Sequence, residues 1–236
     1  IIGAMRAGTT TLYRHLDIHP QIFMPQTKEP NTLCSDAALG AAGRAEYARL
    51  FGPARDERCL GEASTAYTKA PDFGNVAARA RAVLGPELKL VYIVRHPIER
   101  IRSQHHLERA NRLTERPLEA AVREEPRFVN YSRYAMQLEP WLDAFGPERI
   151  MVMRFENYIA DTLFWYGEVC RFLGINPGDV ATLPEEAYNQ TAGRPSVTPF
   201  WRRHIFERKW YKLYLRQYLP RPVRALCARS LLPKAP

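Results

Sequence analysis

Lysine is scarce in this chain: of 34 Lys and Arg residues only 6 are lysine, which leaves 28 arginines. The scarcity matters most near the start. Gly3 and Gly8 have the G-x-x-x-x-G spacing of an ATP-binding P-loop, but Thr9-Thr10 stand where that motif carries Lys-Ser/Thr. The cation that would reach the β- and γ-phosphates of ATP is missing, and an arginine, Arg6, sits inside the loop instead. Cysteine is sparse as well. Cys34, Cys59, Cys170 and Cys227 are far apart, with no C-x-x-C pair and no Cys/His ligand spacing, which argues against zinc and against a disulfide framework. No apolar run reaches the ~18 residues of a membrane span. No repeat, low-complexity tract or Asp/Glu cluster suited to magnesium is present. The chain opens on Ile1-Ile2, inside a strand, so residues before it are expected to be missing, and a signal or anchor could have gone with them.

What is present reads as one α/β domain. The 236 residues suffice for a full core, and 46% hydrophobic with 25% charged residues is ordinary for a globular chain. The formal charge of +9 favours anionic partners. Strands are expected at Ile1–Ile2, Ile22–Met24, Cys59–Glu62, Leu88–Val94 and Arg149–Met153. Helices are expected at Thr10–Leu16, Asn75–Leu84, Pro97–Glu108, Tyr131–Phe145 and Tyr158–Phe172. Their alternation implies a central parallel sheet flanked by helices, and Gly85-Pro86 and Gly146-Pro147 mark turns before strands. Residues 200–236 are dense in interleaved aromatic and basic side chains. That segment reads as a basic helix packed on the domain, with peripheral membrane contact through 200–230 as the second reading.

Two stretches carry candidate chemistry. Ile1–Leu12 reads as strand, glycine-bracketed turn and helix start, the arrangement in which backbone N–H groups converge on a phosphate. The amides of Arg6, Ala7, Gly8, Thr9 and Thr10, with the threonine hydroxyls, are the expected donors. The second stretch follows the strongest strand, where ligands of open α/β sheets bind. Arg95 ends that strand and Ser103 lies two turns into the next helix, a pair suited to a second phosphate group. The competing reading has Arg95 capping sheet carbonyls or pairing with Glu99.

Together these stretches resemble the sulfotransferases that use 3′-phosphoadenosine 5′-phosphosulfate (PAPS). Gly3–Thr10 resembles their 5′-phosphosulfate loop, and Arg95 with Ser103 their 3′-phosphate pair. Lys28-Glu29-Pro30-Asn31 is similar to the Lys-Glu-Pro-His segment of the carbohydrate-type branch, and Gly61–Tyr67 to its Glu-x-Ser/Thr-Pro-x-Tyr segment. Arg154–Tyr158 and Phe172–Ile175 resemble its Tyr-Glu-Asp-Leu and Phe-Leu-Gly elements. The likeness implies a P-loop-type fold with PAPS as donor, adenosine 3′,5′-bisphosphate (PAP) as product and no metal. It implies Glu29 as general base, with Glu62 or a histidine as rivals, and Arg6 as the cation that stabilises the leaving group, where the family commonly has lysine. Lys28, Asn31, Glu62, Ser64 and Tyr67 become acceptor-side candidates, and Gly193 with Arg194 candidates over the 3′-phosphate. Asn31 stands where histidine is frequent, and it cannot take a proton.

The implied acceptor is a hydroxyl on a glycan, lipid or small metabolite, with no nucleic-acid partner. The composition suits a cytoplasmic bacterial enzyme, with the luminal domain of a membrane-anchored protein as the alternative. Two other functions stand beside this one: a P-loop kinase with a degenerate loop, and a non-catalytic anion- or glycan-binding module.

Overall fold

The structure, a computed structural model, describes residues 1–180 and 182–184. Their elements run α1 (Thr9–Asp17), β1 (Ile22–Phe23), α2 (Ala41–Arg49), β2 (Cys59–Leu60), α3 (Val76–Leu84), β3 (Leu90–Val94), α4 (Pro97–Ala110), α5 (Leu118–Glu124), α6 (Arg127–Asn130), α7 (Tyr134–Phe145), β4 (Ile150–Arg154), α8 (Phe155–Ala160) and α9 (Thr162–Leu173). Two compact units divide the chain. The first takes in Ile1–Ile101 and the described residues from Pro126 onward; the second holds Arg102–Glu125.

The sheet of the first unit is parallel throughout. β1 pairs with β2, and β3 with β4 in register from Leu90–Ile150 to Val94–Arg154. The N-terminal segment joins the two pairs. On one side Ile2 and Ala4 donate to Val91 and Ile93, and Gly3 bridges Tyr92; on the other, Ile1 donates to Glu62 C=O and accepts from Ser64. Ile1–Ala4 therefore lies between β2 and β3, and the strand order reverses there. Ligand crevices of open α/β sheets form beyond the carboxyl ends of strands at such a point. The turn Gly3–Gly8 leaves the sheet at that place, with Arg95 beside it after β3 and the Glu62–Tyr67 stretch on its other side after β2.

β3 forms because Leu-Val-Tyr-Ile-Val is β-branched and aromatic, and its first four residues are buried. Leu12, Tyr92, Ile93, Tyr158, Val169 and Cys170 all have 0% exposure and form the centre of the core. The expected Tyr158–Phe172 helix is two helices. Asp161 leaves helical geometry at φ −143° and ψ 81°, and its side chain accepts from Phe164 N–H at 3.0 Å, capping α9. The expected start at Tyr131 moves to Tyr134, because Arg127–Asn130 closes its own turn. α2 and α5 were not anticipated. α2 buries only Tyr47, so it offers no apolar stripe to read.

Arg79, itself buried, pins the turn at Thr32–Cys34. Its Nε donates to Leu33 C=O at 2.7 Å and its Nη1 to Asp36 at 2.8 Å. Trp141 on α7 is 2% exposed, stacks on Phe145 at 6.0 Å and leans on Tyr67 at 6.4 Å. Trp141→Ala is expected to cost about 3–5 kcal/mol of stability in urea unfolding. In the second unit His105 Nε2 lies 2.8 Å from Arg116 C=O, and Arg116 pairs with Glu124 and Glu125 near the surface. Among the described residues no helix is long and apolar enough to cross a membrane.

Candidate active site

The opening turn has the shape of an anion cradle. Arg6 (φ 67°) and Gly8 (φ 86°) are left-handed, and Gly8 is the residue before the first turn of α1. A Cβ at Gly8 would stand 2.5 Å from Cδ2 of Phe155, so both dihedral and space call for glycine there. Among the expected amide donors, the Ala7 N–H donates to Ala4 C=O at 3.2 Å, and the residue is fully buried. Thr9 is buried as well, and Thr10 half-buried.

Arg95 reaches this turn: its Nη1 donates to Arg6 C=O at 3.3 Å. The guanidinium carbon lies 5.0 Å from the centre of the Phe155 ring, and Nη2 is 4.0 Å from the exposed Glu99. Its peptide is bracketed by Tyr134, whose hydroxyl donates to Arg95 C=O at 2.7 Å and accepts from its N–H at 3.3 Å. Glu156 accepts from the neighbouring His96 N–H at 2.8 Å. Burial works to raise the Glu156 carboxyl, but the His96 N–H and nearby arginines hold it below the usual range. Ser103, on α4, belongs to the second unit.

Glu29 occupies the loop after β1. Both it (φ 61°) and Asn31 (φ 56°) are left-handed, on either side of Pro30. Lys28 Nζ donates to Oε1 of Glu29 at 2.6 Å, while Oε2 accepts from Thr65 N–H at 2.8 Å and Thr65 Oγ1 at 3.0 Å. Burial works to raise this carboxyl, but Lys28 and the two Thr65 donors outweigh it, so it stays below the ordinary carboxylate range. Asn31 Nδ2 donates to Glu29 C=O at 3.0 Å, and its buried Oδ1 has no hydrogen-bond partner among the described residues.

Glu62 differs. It accepts from Ser64 Oγ at 2.9 Å and Tyr47 Oη at 3.5 Å, and burial pushes its carboxyl up. Ser64 and Tyr67, the acceptor-side candidates beside it, are buried. Ser64 is fully buried, accepts from Asn31 N–H at 3.1 Å and donates to Glu62; Tyr67 is 5% exposed and accepts from Leu33 N–H at 3.5 Å.

Thr65 and Phe155 lie in the Gly61–Tyr67 and Arg154–Tyr158 segments but were assigned no role, and Tyr134 and Lys69 were not singled out, since the partners of these residues are distant in sequence. Lys69 had a signal of its own: it is among only 6 lysines and stands two residues after Tyr67. Burial lowers its pKa, and the Glu29, Cys34 and Asp72 charges act against that.

Two histidines are structural. Nδ1 of His15 lies 2.6 Å from the Tyr158 hydroxyl and its Nε2 3.1 Å from Pro184 C=O; His19 bridges Gln21 N–H and Asn176 C=O. Among the described residues no group of three His, Cys, Asp or Glu side chains is placed to hold a metal. Gly193, Arg194 and the 200–236 segment lie outside the described residues.

A sulfotransferase domain family model matches residues 68–199, more than half of the chain. The chain belongs to the sulfotransferase domain family. A solved sulfotransferase from Alicyclobacillus acidocaldarius is 28% identical, with a TM-score of 0.65 over 86% of this chain and 87% of that one. The sulfotransferase domain from the curacin biosynthetic pathway shares the fold at 20% identity, with a TM-score of 0.56 over 81% of this chain and 78% of that one. Membrane-associated sulfotransferase kil1 of Dictyostelium discoideum is 34% identical over 106 residues, 45% of this chain and 22% of the relative. The chain thus spans about a fifth of that relative's length. The P-loop-type α/β fold expected from the sequence is the fold of these sulfotransferase domains.

Proposed function

We propose that this sulfotransferase domain moves a sulfuryl group from PAPS to an acceptor hydroxyl. The observation that carries the reading is the Arg95 guanidinium resting on the Arg6 carbonyl at 3.3 Å. It puts a second cationic group at the rim of the anion cradle, which suits a donor with two separate phosphate-bearing ends. The residues fit such a ligand: a left-handed turn feeding the N-terminus of α1 offers amides and a helix dipole to one anion, and Arg95 offers a guanidinium fork to the other. Ser103, Gly193 and Arg194 remain 3′-phosphate candidates on the sequence resemblance alone.

PAPS supplies the activated sulfuryl group. Glu29 takes the proton of the acceptor hydroxyl as that oxygen bonds to sulfur. The bond from sulfur to the bridging phosphate oxygen breaks, and Arg6 stabilises the charge left there. Lys28 and Thr65 keep Glu29 ionised and oriented, and Asn31 Oδ1, unpartnered among the described residues, suits a hydroxyl donor beside it. The acceptor class stays within glycans, lipids and small metabolites. The kil1 relative, named as membrane-associated, favours keeping a membrane-facing setting beside the cytoplasmic one.

Calorimetry tests the donor. PAP is expected to bind without magnesium and at least about tenfold more tightly than ADP, one charge-assisted contact being worth roughly that factor. Tighter ADP binding that requires the metal would establish the kinase reading instead.

A further inference from the structure

Phe155 opens α8 directly after β4, and its ring touches both anion-binding elements. One edge stands where a side chain at Gly8 would begin, with Cδ2 at 2.5 Å and Cε2 at 2.7 Å from a Cβ built there. The Arg95 guanidinium carbon sits 5.0 Å from the centre of the same ring. Tyr134 and Glu156 fix the Arg95–His96 backbone, not the guanidinium, whose Nη1 donates to Arg6 C=O at 3.3 Å. Glu99, 4.0 Å away and 45% exposed, is a weak, solvent-screened partner for it. A flat aromatic face gives a guanidinium a broad contact of favourable electrostatics, which an aliphatic side chain of similar volume lacks.

We infer that Phe155 is a positioning residue: its ring sets the separation between the Gly3–Thr10 loop and the Arg95 guanidinium, so that one ligand bearing two phosphate groups engages both. The inference rests on the reading of Arg95 as a ligand of the donor's 3′-phosphate. It assigns a specific use to the residue that precedes Glu156, beyond filling space beside the sheet.

The test is a comparison of dissociation constants for PAP and for adenosine 5′-phosphate, which lacks the 3′-phosphate. Wild type, Arg95→Ala, Phe155→Leu and Phe155→Tyr are measured by calorimetry. Phe155→Leu is expected to cut the preference for PAP by about tenfold, and Phe155→Tyr, which keeps the ring, to retain it. Arg95→Ala should cut the preference at least as far, and adding Phe155→Leu to it should move the ratio no further. Equal weakening of both ligands by Phe155→Leu, or an unchanged ratio, overturns the assignment while leaving the Arg95 reading intact. A wild type with no preference, unmoved by Arg95→Ala, overturns both. If Phe155→Leu does not fold, Phe155→Met is measured under the same criteria.

Discussion

Glu29→Gln is expected to lower kcat by about 10²- to 10⁴-fold, the range for removing a positioned general base, with PAP affinity nearly unchanged. The substitution is close to isosteric. Its carbonyl oxygen can still accept from Thr65, whose N–H and hydroxyl hold Oε2 at 2.8 and 3.0 Å. What it loses is the charge facing Lys28 and the lone pair that takes a proton. The pH dependence is specific to this carboxylate. Its pKa lies below the usual range, so the base is ionised at neutral pH and stays so as the medium becomes mildly acidic. The acid-side fall in wild-type kcat/KM is therefore expected below the ~4.3 of an ordinary glutamate. Lys28→Met should move that limb upward, since it removes the ammonium that keeps Glu29 ionised. Full turnover in Glu29→Gln would pass the role to Glu62, whose carboxyl burial pushes the other way. In that case the acid limb would stand above the ordinary carboxylate range, so the wild-type profile alone separates the two carboxylates.

The sequence made the loop, β3 and Arg95 legible because each is a local pattern: glycine spacing, a continuous apolar run, and an arginine at its end. The placing of Arg95 against Arg6 follows from the parallel pairing of the N-terminal segment with β3, which the alternation of elements implied. Other features depend on contacts that leave no trace in spacing. Thr65 holds Glu29 from 36 residues away, and although both lie in recognisable segments, nothing in either announces the pairing. Phe155 meets Gly8 from beyond β4, distant in sequence, so only the strand order brings them together. The burial of Ser64 and Tyr67 was not legible for the opposite reason. Their residue types suit ligand contact, but burial follows the path of the chain after β2, and that path turns both hydroxyls inward. α2 was missed because a helix burying one residue has no apolar period to detect. β1 and β2 fall inside the expected strands Ile22–Met24 and Cys59–Glu62 but are two residues each, shorter than expected.

Arg6→Ala is expected to reduce kcat by about 10²- to 10³-fold, the usual loss when a fixed stabiliser of transition-state charge is removed. Part of any loss could come from the backbone, because Arg6 sits at φ 67°, where alanine is strained. Arg6→Gly separates the two effects: glycine adopts that conformation without penalty, so a comparable deficit in kcat isolates the missing charge. Arg6→Lys restores a cation and is expected to recover most of the rate at neutral pH. It should also add a feature that wild type lacks. A guanidinium keeps its proton above pH ~12, so the wild-type profile has no alkaline fall from this position. A lysine in the same turn titrates near ~10.4 or lower, so the Arg6→Lys rate is expected to decline at high pH where wild type does not. A lysine variant with no new alkaline limb, or an Arg6→Gly variant with wild-type kcat, would pass stabilisation of the leaving group to another cation, and Arg95, which donates to the Arg6 carbonyl, is the candidate at this turn.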